Sequence, residues 1–324
     1  MEEPTLEFVS TPDQWKLALY HYPNRSSKKH PVLLVHGLGT NRFDVDFPMR
    51  HLSLARYLHN HGYDTWVVEL RGAGKSHKKG IFPNWDFDDY ITQDLPALVA
   101  HIQKVTRKKS LHWVGHSLGG TLIYAALETM GQSVCASAAT LGSAMSATTK
   151  HGLIKLLLKV DPIVARLPHV PLKNLARIGV PLSRWIAPIE DNFFYVIDNL
   201  DMETITTALR IAVENVSTPL FLQLHDWYKN NHFRSRDGSF SYRDNLKKIK
   251  SPLLVCAGSM DGLTAYPDVH FAYRMIGSQD KKFRVFGREH GCRTEYGHLD
   301  LILGKNAPRE VFPAVAEWFD RHDK

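Results

Sequence analysis

The chain has 324 residues, 44% of them hydrophobic, which suits one large globular unit or two modest ones with a sizeable core. No apolar run reaches the ~18 residues of a transmembrane helix, and the three cysteines, Cys135, Cys256 and Cys292, lack the paired spacing of a disulfide framework or zinc motif. The formal charge of +7 mildly favours anionic partners such as a membrane surface. Its basic residues are not interleaved with stacking aromatics, so no nucleic-acid partner is expected.

The N-terminus, Met-Glu-Glu-Pro-Thr-Leu, is acidic and leads into no long apolar run. It reads as neither a secretory signal nor a transit peptide, so a cytoplasmic location is expected. Leu6 to Ser10 and Trp15 to Tyr22 are predicted strands around a Thr11-Pro12-Asp13 turn. Pro31 to His36 is a continuous apolar run, as in a strand buried on both faces of a parallel sheet. Leu52 to His61 is a helix candidate stopped by Gly62, with His59 and His61 assigned to a polar turn, and Thr65 to Leu70 is the next strand. Asp88 to Val105 reads as a helix that Pro96 either kinks or restarts. Leu111 to Gly115 is a strand, Leu118 to Met130 a helix, and Ser133 to Leu141 a strand of small residues.

The rhythm then breaks, and resumes at the strand Pro252 to Gly258, a helix from Pro267, a strand Lys282 to Phe286 and a helix from Ala307. Strands alternating with helices on both sides of a gap predict a mostly parallel, doubly wound α/β sheet with an insertion. Residues 1–143 and 246–324 form the expected core, and 144–245 the expected cap. Between residues 144 and 190, seven bases (Lys150, Lys155, Lys159, Arg166, Lys173, Arg177, Arg184) face two acids (Asp161, Glu190), a balance of +5. His151, Lys155 and Lys159 share one helical face, with Leu153, Leu157 and Val160 opposite. That pattern suits either a cap helix with a solvated edge or a helix lying on an anionic membrane.

Gly115-His116-Ser117-Leu118-Gly119 carries the strongest chemical signal. A G-x-S-x-G between a buried strand and a helix is the context of a nucleophile elbow, which lifts the serine hydroxyl above the sheet and aims the next N–H at a developing oxyanion. His36-Gly37-Leu38-Gly39 follows the first buried strand, where an oxyanion hole finds its second donor. The backbone N–H groups of Leu38 and Leu118 are the expected pair, with Gly39 the alternative to Leu38, and His36 is expected to be structural. A serine needs a base, and the base needs an acid to fix its tautomer. Asp261, in the loop after the strand ending at Gly258, is the expected acid. His298, in Tyr296-Gly297-His298-Leu299-Asp300, is the expected base, with His290 its competitor and Asp300 too close along the chain to be the preferred acid. No cofactor or metal is called for, since the 18 histidines form no ligand motif.

These segments resemble the acid lipase family of α/β-hydrolases, the gastric and lysosomal type, and its bacterial and plant relatives. The resemblance rests on His36-Gly37-Leu38, Arg71-Gly72, Trp85 to Asp88, Asp94-Leu-Pro-Ala97, Val114 to Ser117 and His298 to Leu303. It spans most of residues 6–143 and 250–320 but not the cap. It implies a serine hydrolase that cleaves a small-molecule ester, lipid-like or otherwise apolar, by transferring its acyl group to Ser117. An acyltransferase or thioesterase would use the same residues, and a sensor of the same fold would bind without turnover. A serine at the elbow argues against epoxide hydrolase and dehalogenase chemistry, which needs Asp there.

Overall fold

The computed structural model describes residues 3–80, 83–149, 164–183, 185, 187 and 191–323. Ten strands are described: β1 (Thr5–Ser10), β2 (Lys16–Tyr22), β3 (Val32–Val35), β4 (Thr65–Glu69), β5 (Leu111–His116), β6 (Cys135–Leu141), β7 (His169–Val170), β8 (Val216–Ser217), β9 (Leu253–Gly258) and β10 (Lys281–Phe286). Eight of them form one sheet in the order β1-β2-β4-β3-β5-β6-β9-β10. β1, β2 and β4 pair antiparallel, and every pairing from β4 to β10 is parallel.

The continuous apolar runs become the central strands because helices cover both faces of the sheet. β3, β4, β5 and β9 are buried at every position. Alternate side chains of each strand enter opposite cores. Leu33, Val35, Trp66 and Trp113 join α2 (Leu95–Thr106) and α3 (Leu118–Thr129) on one side. Leu34, Val67 and Val114 join α1 (Leu54–Asn60) and the C-terminal helix (Ala307–Arg321) on the other. Each such aliphatic side chain, taken wholly from water, stabilises the fold by about 1.5–3 kcal/mol.

Strand and helix boundaries fall within about three residues of those the sequence predicts, with instructive exceptions. The expected Asp88–Val105 helix is a short turn, Phe87–Asp89, then a π-helical stretch, Tyr90–Asp94, then α2 with Pro96 in its first turn. Pro96 thus follows the wider π turn within one continuous run of helical backbone. His59 lies inside α1 rather than in a turn. Cys135 and Cys256 are buried, as their strand positions suggest.

Among the described residues between β6 and β9 there is no strand of the large sheet. That stretch holds α4 (Leu172–Gly179), α5 (Met202–Ile211), α6 (Thr218–Asn230) and the small β7–β8 pair. The predicted basic stripe of His151, Lys155 and Lys159, with Leu153, Leu157 and Val160, lies outside the described residues, as do Lys150, Asp161, Arg184 and Glu190. No described helix is long and apolar enough to cross a membrane.

One buried acid yields a stability prediction. Both carboxyl oxygens of Glu128, near the end of α3, are buried without a hydrogen-bond partner among the described residues. Burial pushes this carboxyl from 4.5 up to about 9, with Lys248 only partly opposing it. A raised acid pKa means the folded state holds a proton that the unfolded state releases, so stability falls as pH climbs through that window. Glu128→Gln is expected to flatten that slope between pH 5 and 9. It should also raise stability at pH 8 by about 1–3 kcal/mol, as relief of an unpaired buried acid does. Urea melts of both proteins at pH 5 and pH 8 check this; parallel pH slopes would refute it.

Candidate active site

Ser117 sits at the β5–α3 junction with φ 54 and ψ −122, a conformation that L side chains rarely adopt. Such a residue costs about 1–3 kcal/mol and persists only where its surroundings over-determine it. Here they do. The Ser117 N–H donates to the Leu141 carbonyl at 2.8 Å, and the turn into α3 presses against the end of β3. A Cβ at Gly119 would lie 2.3 Å from the Val35 carbonyl oxygen, so no side chain fits there. Leu118 is the first residue of α3. Its N–H is one of the helix's opening donors with no acceptor inside the helix, at the positive end of the helix dipole.

The loops after β9 and β10 bring Asp261 and His298 together. His298 Nδ1 and Asp261 Oδ2 lie 2.8 Å apart, and both residues are buried. The N–H groups of Leu263 and Thr264 donate to Asp261 Oδ1 at 3.0 and 2.7 Å. The Thr264 hydroxyl is within reach of Asp261 Oδ2, His298 Nδ1 and the Gly142 carbonyl, at 2.8, 3.0 and 2.9 Å. Gly142 has φ +59, and a Cβ there would meet His298 Nδ1 at 3.1 Å, so the imidazole packs directly against this backbone. With Nδ1 committed to Asp261, His298 Nε2 is the free ring nitrogen: buried, with no hydrogen-bond partner among the described residues.

The two rival residues are placed elsewhere. His290 is exposed in a short turn, Arg288–His290. Asp300 is buried, but its Oδ2 accepts the N–H groups of Val196 and Gly297 at 2.7 and 2.6 Å. Burial pushes its carboxyl up to about 7. Asp300 thus ties residues 191–199 to the His298 loop.

A second His–acid pair, absent from the sequence reading, joins the elbow to its surroundings. His116 Nδ1 lies 3.0 Å from Asp44 Oδ2, and His116 Nε2 lies 3.2 Å from the His298 carbonyl. Both nitrogens face acceptors, an arrangement that favours the imidazolium. Burial opposes that charge, but Asp44 outweighs it and raises the His116 pKa. Burial likewise works to raise the Asp44 carboxyl, and His116 with the Gly37 N–H holds it below its usual range. Asp44 Oδ2 also accepts the Gly37 N–H at 2.8 Å, so one carboxylate bridges the elbow to the loop at residues 36–40.

That loop is anchored on its other side too. His36 Nε2 accepts the Leu70 N–H at 3.1 Å, a structural role as expected. A Cβ at Gly37 would lie 3.2 Å from Ser117 Cβ, which puts the loop directly over the elbow. The Gly39 carbonyl accepts the Glu214 N–H at 2.7 Å, and Asn41 N–H donates to the Ala212 carbonyl at 3.1 Å. Leu38 therefore lies between the elbow and the segment at residues 212–216, and it lines a cavity of about 20 Å³ together with Leu118, Trp85 and Val216. A groove of about 980 Å³ lies elsewhere, between Ile91, Met130, Arg236 and Tyr242, and contains none of these residues.

Comparison with known proteins agrees with this architecture. A family model described as the alpha/beta hydrolase fold matches residues 30–177. Triacylglycerol lipase 2 of Arabidopsis thaliana is 25% identical over 332 residues, covering 91% of this chain and 77% of that protein. Human lipase member K is 25% identical, covering 94% of this chain and 84% of that protein. Among solved structures, a thermophilic esterase from Thermogutta terrifontis superposes with a TM-score of 0.63 at 18% identity, covering 99% of this chain and all of that one. The chain has the α/β-hydrolase fold. It resembles the acid lipases.

Proposed function

We propose that the protein hydrolyses an apolar, lipid-like carboxylic ester, with Ser117 as nucleophile, His298 as base and Asp261 as the acid that orients it. The buried 2.8 Å contact between His298 and Asp261, together with a serine in a strained elbow, carries this reading. Ser117 Oγ attacks the ester carbonyl carbon while His298 Nε2 takes its proton. The N–H groups of Leu38 and Leu118 hold the resulting oxyanion. Collapse breaks the bond to the alcohol, which leaves with the proton from His298. Water then attacks the acyl-enzyme, giving its proton to His298, and the carboxylic acid departs as Ser117 regains its hydrogen.

Residues 144–245 are read as a cap over a core of residues 1–143 and 246–324. Large apolar side chains crowd its outer surface: Leu175, Ile178, Leu182 and Trp185 are 59, 69, 53 and 80% exposed. Leu175, Ile178 and Leu182 recur at helical spacing, with exposed Arg177 adjacent to Ile178 in the chain. An apolar patch with a base beside it suits a substrate presented at an anionic lipid surface. The relatives named as triacylglycerol lipases add weight to this choice.

The test is chain-length profiling on soluble acyl esters and on glycerolipids in anionic vesicles. Ile178→Ser with Trp185→Ser is expected to lower activity on vesicles by about tenfold. That corresponds to losing a little over 1 kcal/mol of apolar contact. Turnover of a short soluble ester should change little. An equal loss on both substrates, or none on vesicles, would reject the surface-docking reading.

A further inference from the structure

The far end of the sheet from Ser117 holds a cluster that ester chemistry does not use. His30 precedes β3, His112 is the second residue of β5, and Asp323 follows the C-terminal helix. One ligand atom from each residue lies within 4.8 Å of the others. His30 Nδ1 is 2.8 Å from Asp323 Oδ1, and His112 Nε2 is 3.6 Å from the same oxygen.

We propose that His30, His112 and Asp323 form a site for a divalent transition metal, Zn2+ by ligand type, that fastens the C-terminus to the sheet.

Four observations carry it. First, two polar atoms are left over: His112 Nε2 and Asp323 Oδ2 are buried with no hydrogen-bond partner among the described residues. The 3.6 Å gap from His112 to Asp323 is too long for a hydrogen bond. The His112 side chain is 0% exposed, so an unmet nitrogen there is costly. Second, the spacing fits. Zinc–nitrogen and zinc–oxygen bonds of about 2.0–2.2 Å at tetrahedral angles put ligand atoms roughly 3.4 Å apart. The observed 2.8 and 3.6 Å bracket that value, and the third pair lies within 4.8 Å.

Third, the His112 ring is oriented. His112 Nδ1 is 2.9 Å from Ser137 Oγ. Donation to that hydroxyl leaves the Nε2 lone pair facing the cluster, the outer-shell arrangement that fixes a ligating histidine. The His112 ring is also stacked on Phe319 at 4.5 Å and has Tyr63 at its edge, so its direction is set by packing. Fourth, there is an entry path: the His30 side chain is 23% exposed while Asp323 is 5%. Two imidazoles and one carboxylate leave a fourth position for water and favour zinc over magnesium or calcium.

The experiment uses the untagged full chain, stripped with a chelator and titrated with Zn2+ against a chromophoric competitor. One Zn2+ per chain is expected, with a higher melting temperature in zinc that a chelator reverses. His30→Gln and Asp323→Asn should each weaken zinc binding by at least about tenfold, the lower range of what even an outer-shell loss costs. Both should leave soluble-ester turnover unchanged. His112→Ala removes a core ring and can fail to fold, so His30→Gln and Asp323→Asn decide the matter. The proposal is overturned if the wild type takes up no zinc, or if both variants bind zinc as the wild type does. It is also overturned if His298→Ala, rather than these variants, abolishes binding.

Discussion

Ser117→Ala is expected to lower ester turnover by about 10⁴- to 10⁶-fold, the range seen when a serine hydrolase loses its nucleophile, and to abolish labelling by a fluorophosphonate probe. The residual rate would come from the N–H groups of Leu38 and Leu118 and from substrate binding alone. The variant should fold, since the Ser117 backbone N–H bond to Leu141 and the helix it opens do not depend on the hydroxyl. A companion variant separates chemistry from strain. Ser117→Gly is equally dead but should be about 1 kcal/mol more stable than Ser117→Ala, because glycine occupies φ 54 without a clashing Cβ. Probe labelling at one serine, compared across the three proteins, checks the first expectation, and chemical melts check the second. Labelling that survives in Ser117→Ala would place the nucleophile elsewhere.

The sequence exposes those parts of the site whose geometry is local. Ser117 is legible because an elbow needs glycines at fixed offsets between a buried strand and a helix, and the G-x-S-x-G records that demand directly. Asp261 and His298 are legible by their place after β9 and β10, since the sheet order puts both loops at the same edge. Asp44 gave no such signal. Its partners, His116 and the Gly37 N–H, lie 72 and 7 residues away, and no period or spacing marks a carboxylate that bridges two loops. Thr264 is hidden for the same reason, as is the His30–His112–Asp323 cluster, whose members are joined only by the register of β3 with β5 and the return of the last helix. The π-helical stretch at Tyr90–Asp94 was also illegible. One extra residue in a turn is set by packing around Trp85 and Asp94 rather than by propensity, and Pro96 alone could not distinguish a kink from a restart.

Asp261→Asn is expected to lower kcat by about 10⁴-fold with little effect on folding. The fold should tolerate the change because an amide oxygen can replace Asp261 Oδ1 as the acceptor for the Leu263 and Thr264 N–H groups. The amide NH2 then takes the place of Oδ2, facing His298 Nδ1. Two donors cannot share that contact, so Nδ1 must become the acceptor and the ring proton moves to Nε2. In the proposed mechanism Nε2 takes the Ser117 proton, and a protonated Nε2 cannot take it. The loss should therefore fall on kcat while short-ester KM changes little, and the residual rate should rise with pH as hydroxide replaces the missing base. Asp300→Asn is the contrasting control. Asp300 accepts two backbone N–H groups and does not face the His298 ring nitrogens, and its carboxyl is pushed up to about 7, so a neutral amide resembles its protonated state. That variant should keep activity within about tenfold of the wild type, well short of the cost of losing an acid that orients the base. Steady-state kinetics from pH 6 to 9 on both variants decides between the two carboxylates. A dead Asp300→Asn beside an active Asp261→Asn would reverse their assignment.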